Sequence, residues 1–502
     1  MTEFSALLPA RVTGQLGEAV RERYRPDQVA ELLGLAGAAA RARSDLAGLD
    51  RMTRAASPIE TMIRLFLLGR PVTPAQAAAA LLPLALPDAL SAGLLERVGD
   101  QVRARLAVHP LAEPDGPAWW VLSDFGTDLR DGRLEAGHVL GVGSAATTLA
   151  QATIRRPVRR ALDLGIGCGV QALHLSRHCD QVVGTDLDRR ALAFAASTAE
   201  LNGQRWQLRA GSLLEPVAED CFDLIVCNPP FIVGPGFRPG QDGFSYRDSG
   251  LAGDAVCARL LAELPARLNV GGTAQLLANW IIGQDQPWPD RLAGWLPELG
   301  CDVWIWQREV AEPAEYVAMW LRDAGERPGT ESWQRGYDHW LDWFVENRVA
   351  GIGMGMVHLR RTDASGPTVR CEDVRQPYQL PIGAAVADWF DRQQWLRTVE
   401  LPAARLAPAR DLVLDSRALL SATGWEPAIS SLRQSHGMRW ELEVDQAVAG
   451  LVAASSQQLP LSVLLGLVAA SVGAPADQVA EALLPVVRDL VERGFLVPAG
   501  AS

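Results

Sequence analysis

The run Val158-Arg159-Arg160-Ala161-Leu162-Asp163-Leu164-Gly165-Ile166-Gly167-Cys168-Gly169 decides the fold of this 502-residue chain. Apolar residues at 158, 161, 162 and 164 suit a buried parallel strand. Three glycines follow at alternate positions, where the backbone can turn sharply and come close to a ligand. A helix after such a turn presents free N–H groups to whatever sits there. The spacing is Gly-x-Gly-x-Gly, not the Gly-x-Gly-x-x-Gly of dinucleotide sites, so the turn alone does not identify a ligand.

Working outward, Val182-Val183-Gly184-Thr185 reads as the next apolar strand, closed by Asp186, 23 residues after Asp163. A carboxylate there reaches the two hydroxyls of a ribose in nucleotide-binding α/β folds, and a solvated strand end is the alternative reading. Phe222-Asp223-Leu224-Ile225-Val226-Cys227 then reads as a central parallel strand, followed by Asn228-Pro229-Pro230-Phe231. Two consecutive prolines forbid both helix and strand, so the chain leaves the sheet as a stiff turn at its C-terminal edge. Ligands of open α/β sheets sit at that edge. The turn holds the Asn228 carboxamide oxygen and the Pro229 carbonyl as fixed acceptors for an –NH2 group. Phe231 offers a flat face for a planar amide or base. An ordinary loop around a turn-forming proline pair is the competing reading.

In this order and spacing the stretch resembles the class I S-adenosylmethionine-dependent methyltransferases. It looks like the branch with an Asn-Pro-Pro-(Tyr/Phe) motif that methylates planar nitrogens, which includes the HemK-like release-factor glutamine methyltransferases and enzymes acting on exocyclic base amines. The resemblance covers residues 140–280 well and 280–360 loosely. It implies an α/β fold with a Rossmann-like, seven-stranded sheet and S-adenosyl-L-methionine as cofactor. Asp163, Gly165, Gly167 and Gly169 would line the methionine end, Asp186 would bind the ribose and Leu187 would pack on the adenine. Asn228, Pro229 and Phe231 would hold the target nitrogen. The family commonly has an acidic residue after the third strand; here Ser212 takes that place, and its hydroxyl can accept the same hydrogen bond. In Gly141–Leu149, Thr148 stands where related enzymes place a contact to the methionine carboxylate, against the alternative of a plain helix N-terminus.

After Phe231, about 20 residues carry few regular signals but hold Phe237, Phe244, Tyr246 and Arg247, which read as a substrate loop. Ser249–Asp254 then partly resembles the Gly-rich element that closes the pocket in glutamine methyltransferases. Thr273–Trp280, Val303–Gln307 and Gly353–Leu359 read as the last three strands. Nine of the 16 tryptophans fall between 280 and 343, which reads as packing between this domain and its flanks, with a stacking platform as the alternative.

Three domains are expected: a helical, winged-helix-like unit at 1–115, the methyltransferase domain at 116–365, and a mainly helical, possibly winged-helix-like unit at 366–502, whose last helix is expected to kink or break at Pro485. All 47 basic residues are arginine, and the net charge of −12 weakens the case for a nucleic-acid partner. Seven cysteines at irregular spacing, without a Cys-x-x-Cys pair, read as reduced thiols with no zinc site. His174 and His178 read as a structural pair, and no metal is expected. No run of 18 apolar residues predicts a membrane span, and the N-terminus lacks the marks of a signal peptide, so a cytoplasmic location is expected.

The function these readings predict is N-methylation of a planar nitrogen, first a protein glutamine amide, with an exocyclic base amine of rRNA or tRNA as the alternative. The partner is then a protein or an RNA, and the oligomeric state is left open. A reading of another class is a non-catalytic, cofactor-sensing protein that binds nucleic acid or a partner through its flanks.

Overall fold

Val158–Leu164 (β1), Cys179–Asp186 (β2), Gln207–Ala210 (β3), Phe222–Cys227 (β4), Leu268–Gly283 (β5), Cys301–Ala311 (β6), Val349–Arg361 (β7) and Val369–Asp373 (β8) hydrogen-bond into one sheet. The order is β8-β6-β7-β5-β4-β1-β2-β3, and only β7 runs antiparallel to its neighbours. The computed structural model describes residues 4–43, 45–112, 116–126, 129, 137–236, 250–296 and 300–499. It divides into one unit of Met1–Ala150 with Arg156–Asp373 and a second of Gln151–Arg155 with Val374–Ser502.

The sheet is the Rossmann-like α/β sheet expected from the sequence, with one strand more than the seven foreseen. The extra strand, β8, pairs in parallel with Val303–Gln307 of β6. It is an edge strand that keeps Arg370, Glu372 and Asp373, so it lacks the apolar run that marks a buried parallel strand.

Val170–Leu175 (α1), Arg189–Leu201 (α2) and Ala255–Glu263 (α3) follow β1, β2 and the residue-228 turn. Leu162, Ile225 and Leu276 of the sheet meet Cys257, Leu260 and Leu261 of α3 in one buried cluster. Each fully buried aliphatic side chain there contributes about 1.5–3 kcal/mol.

The glycines of β7 carry a packing role that periodicity does not reveal. A Cβ at Gly353 would lie 2.2 Å from the Trp280 Nε1, and one at Gly355 would lie 1.8 Å from the Trp306 carbonyl oxygen. Bare backbone on that face is what admits the fully buried Trp280 indole of β5 and the close approach of the β6 backbone at Trp306. Gly355→Ala therefore forces backbone, not a flexible side-chain tip, to move. The expected loss is about 3 kcal/mol, read as a lower chemical-unfolding midpoint. An unchanged midpoint would mean that the strand has room.

Before the sheet, Ala10–Arg23 and Pro26–Ala42 are helices, and Pro74–Leu81 is capped by Thr73, whose hydroxyl accepts from Gln76 N at 3.3 Å. Two strand pairs follow these helices. Leu95–Val98 binds Gln101–Ala104, and Ala107–Leu111 binds Trp119–Ser123. The latter strand is tied to α2 by side chains. Trp120 N donates to Asn202 Oδ1 at 3.0 Å and Leu122 N to Thr198 Oγ1 at 3.2 Å.

The second unit is less helical than its sequence predicts. Gly383–Thr398, Gln446–Ala454, Leu461–Val472 and Ala476–Glu492 are helices, and the last runs through Pro485 as one element. Leu406–Pro408 pairs with Leu496–Pro498. Leu412–Ser421 (β9), Gly424–Gln434 (β10) and Glu441–Glu443 (β11) form an antiparallel sheet in the order β9-β10-β11.

Candidate active site

Register brings the three motifs to one edge. Leu164 pairs with Thr185 on one side and Cys227 on the other, so Gly165, Asp186 and Asn228 emerge side by side. Gly165 N and Ile166 N both donate to the Thr185 carbonyl, at 2.9 and 2.8 Å. Gly165, Gly167 and Gly169 have φ of +76°, +53° and +88°, which other L-residues adopt only with strain. A Cβ on Gly169 would also enter the Trp206 ring at 2.6 Å. A Cβ on Gly167 would meet nothing within 4 Å among the described residues, so this turn borders open space.

Asp186 laces the turn. Its Oδ2 accepts from Gly167 N and its Oδ1 from Asp188 N, both at 2.9 Å. Each oxygen can accept a second hydrogen bond. Burial raises its pKa, and the backbone donors oppose that rise.

Asp163 is buried behind the turn, where its Oδ2 accepts from Ala172 N in the first turn of α1 at 2.9 Å. Burial pushes its pKa up to about 7. An acid raised in this way stabilises the fold in its neutral form. That contribution is complete below the unfolded-state value of 3.8 and is lost as pH rises through about 7. Asp163→Asn keeps an acceptor for Ala172 and cannot ionise. We expect it to flatten the fall in stability between those pH values, by about 4 kcal/mol at most, in unfolding midpoints taken across the range. Parallel profiles for both proteins would contradict this. Burial also pushes the Cys168 thiol up to about 12 and raises the Cys227 thiol well above its ordinary value, so neither is a nucleophile at neutral pH.

The Asn228 turn faces the glycines: a Cβ on Gly165 would stand 4.0 Å from the Asn228 carbonyl oxygen. The Asn228 Oδ1 is buried and has no hydrogen-bond partner among the described residues. An acceptor left so costs about 1–3 kcal/mol unless a donor arrives. Pro229 is buried, and Phe231 is half-buried, edge-on to Trp320 with centroids 6.3 Å apart.

Tyr316, which sequence reasoning missed, and the Gly253–Asp254 element brace the chain after this turn. Pro313–Asp323 (α4) supplies Tyr316, fully buried, whose hydroxyl accepts from Val233 N at 3.0 Å and from Asn279 Nδ2 at 2.9 Å. Asp254 accepts from Ile281 N at 2.8 Å and from both Nε and Nη2 of Arg291, at 2.9 and 2.6 Å. Gly253 N donates to the Gly234 carbonyl at 2.8 Å. Glu331–Glu346 (α5) carries Trp333, Trp340 and Trp343 of the tryptophan-rich stretch. Trp340 underlies Gly234 and Trp343 underlies Gly253, so these indoles brace the turn's exit rather than join the domain to a flank.

The remaining candidates stand near the same edge or outside the described residues. Leu187 follows Asp186 and is 69% exposed. Ser212 is half-buried after β3, just past Gly211, whose N–H donates to the Asp186 carbonyl at 3.0 Å. Thr148 is half-buried in the helix Ser144–Ala152, which Gln171 of α1 reaches through an Nε2 donation to Ala146 O at 2.7 Å. Phe237, Phe244, Tyr246 and Arg247 lie outside the described residues.

Residues 141–239 match the methyltransferase small domain family, while 21–105 and 387–498 match two domains of unknown function, DUF7059 and DUF7782. Among curated relatives, the release factor glutamine methyltransferase of Bordetella pertussis is 35% identical over 133 residues, 25% of this chain and 49% of that one. That of Geobacter sulfurreducens is 41% identical over 146 residues, 27% of this chain and 51% of that one. The ribosomal RNA small subunit methyltransferase C of Alcanivorax borkumensis is 30% identical over 120 residues, 24% and 32% of the two chains. The chain thus spans about half the length of the first curated relatives it matches. Strand order, the placement of the three motifs and the family match agree that residues 141–239 lie in a class I, Rossmann-like methyltransferase fold.

Proposed function

We propose that this chain is an S-adenosylmethionine-dependent N-methyltransferase whose acceptor is the side-chain amide of a protein glutamine. The observation that carries the reading is the Asn228 Oδ1, a buried acceptor without a partner among the described residues, held beside an open glycine turn. An amide –NH2 can donate one hydrogen to this oxygen and the other to the Pro229 carbonyl. The curated relatives named as glutamine methyltransferases support the same acceptor.

The cofactor fits the residues present. The Gly165–Gly169 turn leaves space where any side chain would intrude, and Asp186 keeps acceptor capacity for a ribose. When bound, the cofactor supplies a methyl carbon that forms a bond to nitrogen as its bond to sulfur breaks, with the electron pair returning to sulfur. The protein's part is orientation. Asn228 and Pro229 fix the plane of the acceptor, and two oxygen acceptors stabilise the positive charge that develops on its nitrogen. The extra proton leaves to water, so no general base is required. A cytoplasmic setting belongs to the same proposal, in keeping with seven unbridged cysteines.

A second reading, an exocyclic amine of an RNA base, draws on the ribosomal RNA methyltransferase among the relatives. Incubating the purified protein with methyl-labelled S-adenosylmethionine and a cell lysate separates the two. Label that survives nuclease and is lost to protease supports the glutamine reading. Label lost to nuclease transfers the proposal to RNA. Tight cofactor binding with no label in either fraction would point to the cofactor-sensing alternative.

A further inference from the structure

The second unit carries a strand edge that is both exposed and self-complementary. β9 ends the three-stranded sheet, so one side of its backbone has no ladder partner among the described residues. From Ser416 to Leu420 it is exposed on both faces, and the far end of the β9–β10 hairpin bears Leu419, Leu420 and Trp425, each about 70% exposed. Leu420 and Trp425 face each other across the hairpin. Protected edges carry lysine, proline or a bulge. β9 has none of these: its register shift falls on β10, where Ala428 is the extra residue, and its only charges are Asp415 and Arg417.

Those two charges choose the occupant. If a second copy of β9 pairs antiparallel about a two-fold axis at Ser416, Asp415 lies opposite the second copy's Arg417, and the reciprocal pair follows by symmetry. In the same register Leu414 meets Ala418, Val413 meets Leu419, and Leu412 meets Leu420. Faces are preserved, because residues of equal parity oppose each other. Moving the axis to the next residue on either side would set Asp415 against Asp415 or Arg417 against Arg417, and like charges directly opposite are destabilising. One register is therefore satisfied and its neighbours are penalised.

We propose that β9 is the seam of a homodimer, in which two three-stranded sheets join through self-paired β9 strands into one continuous six-stranded sheet. This inference does not depend on the reaction assigned above.

Sedimentation velocity on the full chain is expected to show a dimer at micromolar concentration. Arg417→Asp puts two carboxylates opposite each other twice, and Asp415→Arg does the same with two cations. Each variant alone should raise the dimer dissociation constant about tenfold or more. Mixed in equal amounts, the two variants regain opposite charges at both positions and should form a heterodimer. Asp415→Arg gives up an ion pair with Arg433 that is nearly half exposed on both sides, a small loss to the monomer. Ser416→Cys supplies a readout that needs no charge change. Self-opposed Cα atoms stand about 4.5–5.5 Å apart, so mild oxidation should cross-link two chains. A monomeric wild-type chain, single charge variants that dimerise as well as wild type, or Ser416→Cys that cross-links no more than wild type would each overturn the proposal.

Discussion

Asn228→Ala is expected to lower kcat by about 100- to 1,000-fold while changing the cofactor Kd by less than about twofold. The split follows from position. The carboxamide oxygen is the buried acceptor without a partner among the described residues, whereas on the proposed reading the cofactor cradle is shaped by backbone atoms of Gly165–Gly169 and the Asp186 carboxylate. Removing the Asn228 side chain deletes an acceptor for the reacting nitrogen and leaves those groups untouched. Turnover with labelled cofactor and calorimetric cofactor binding would be measured on the same preparation. Equal losses in both would remove Asn228 from the acceptor site and make it part of the cofactor cradle.

Asp254→Ala should cost about 3 kcal/mol of stability. Asp254 is buried, receives two nitrogens of Arg291 and also takes the N–H of Ile281, so its loss strands a guanidinium and a strand amide together. Arg291 retains some solvent, which places the cost at the lower end of the range for broken buried pairs. Asp254→Asn keeps one acceptor and should lose less. The resemblance puts Ser249–Asp254 at the closing element of the pocket; the structure gives Asp254 a bracing role, with its oxygens held by Arg291 and Ile281 N. Chemical unfolding followed by tryptophan fluorescence distinguishes the roles. A raised KM with an unchanged midpoint would make Asp254 a substrate contact.

The cradle was legible because its parts are local. A buried parallel strand is a short apolar run, and glycines, a terminal carboxylate and a proline pair mark where each run ends. Gly165, Asp186 and Asn228 could therefore be set at one edge before any coordinates. The groups that brace the edge could not. Tyr316 lies 83 residues from Val233 and 37 from Asn279, and a hydroxyl meeting an N–H over such distances leaves no periodic trace. β8 and the β9–β10 hairpin escaped for a related reason. β8 is a short, mostly polar edge strand and β9 is largely exposed, so neither offers an apolar alternation to read.

The latch between Gly253 N and the Gly234 carbonyl bears on how the sequence between them can vary over evolutionary time. Gly236 and Ala252 also approach closely there: a Cβ on Gly236 would lie 3.0 Å from Ala252 N. The described residues on either side of 237–249 are thus held together by backbone contacts. Closure entropy grows only with the logarithm of loop length, about 0.6 kcal/mol for each doubling. With its ends held in this way, a change in the number of residues between them adds little closure cost. On the proposed reading, in which these residues meet the acceptor, acceptor preference can change there while Gly165, Asp186 and Asn228 keep their places at the sheet edge.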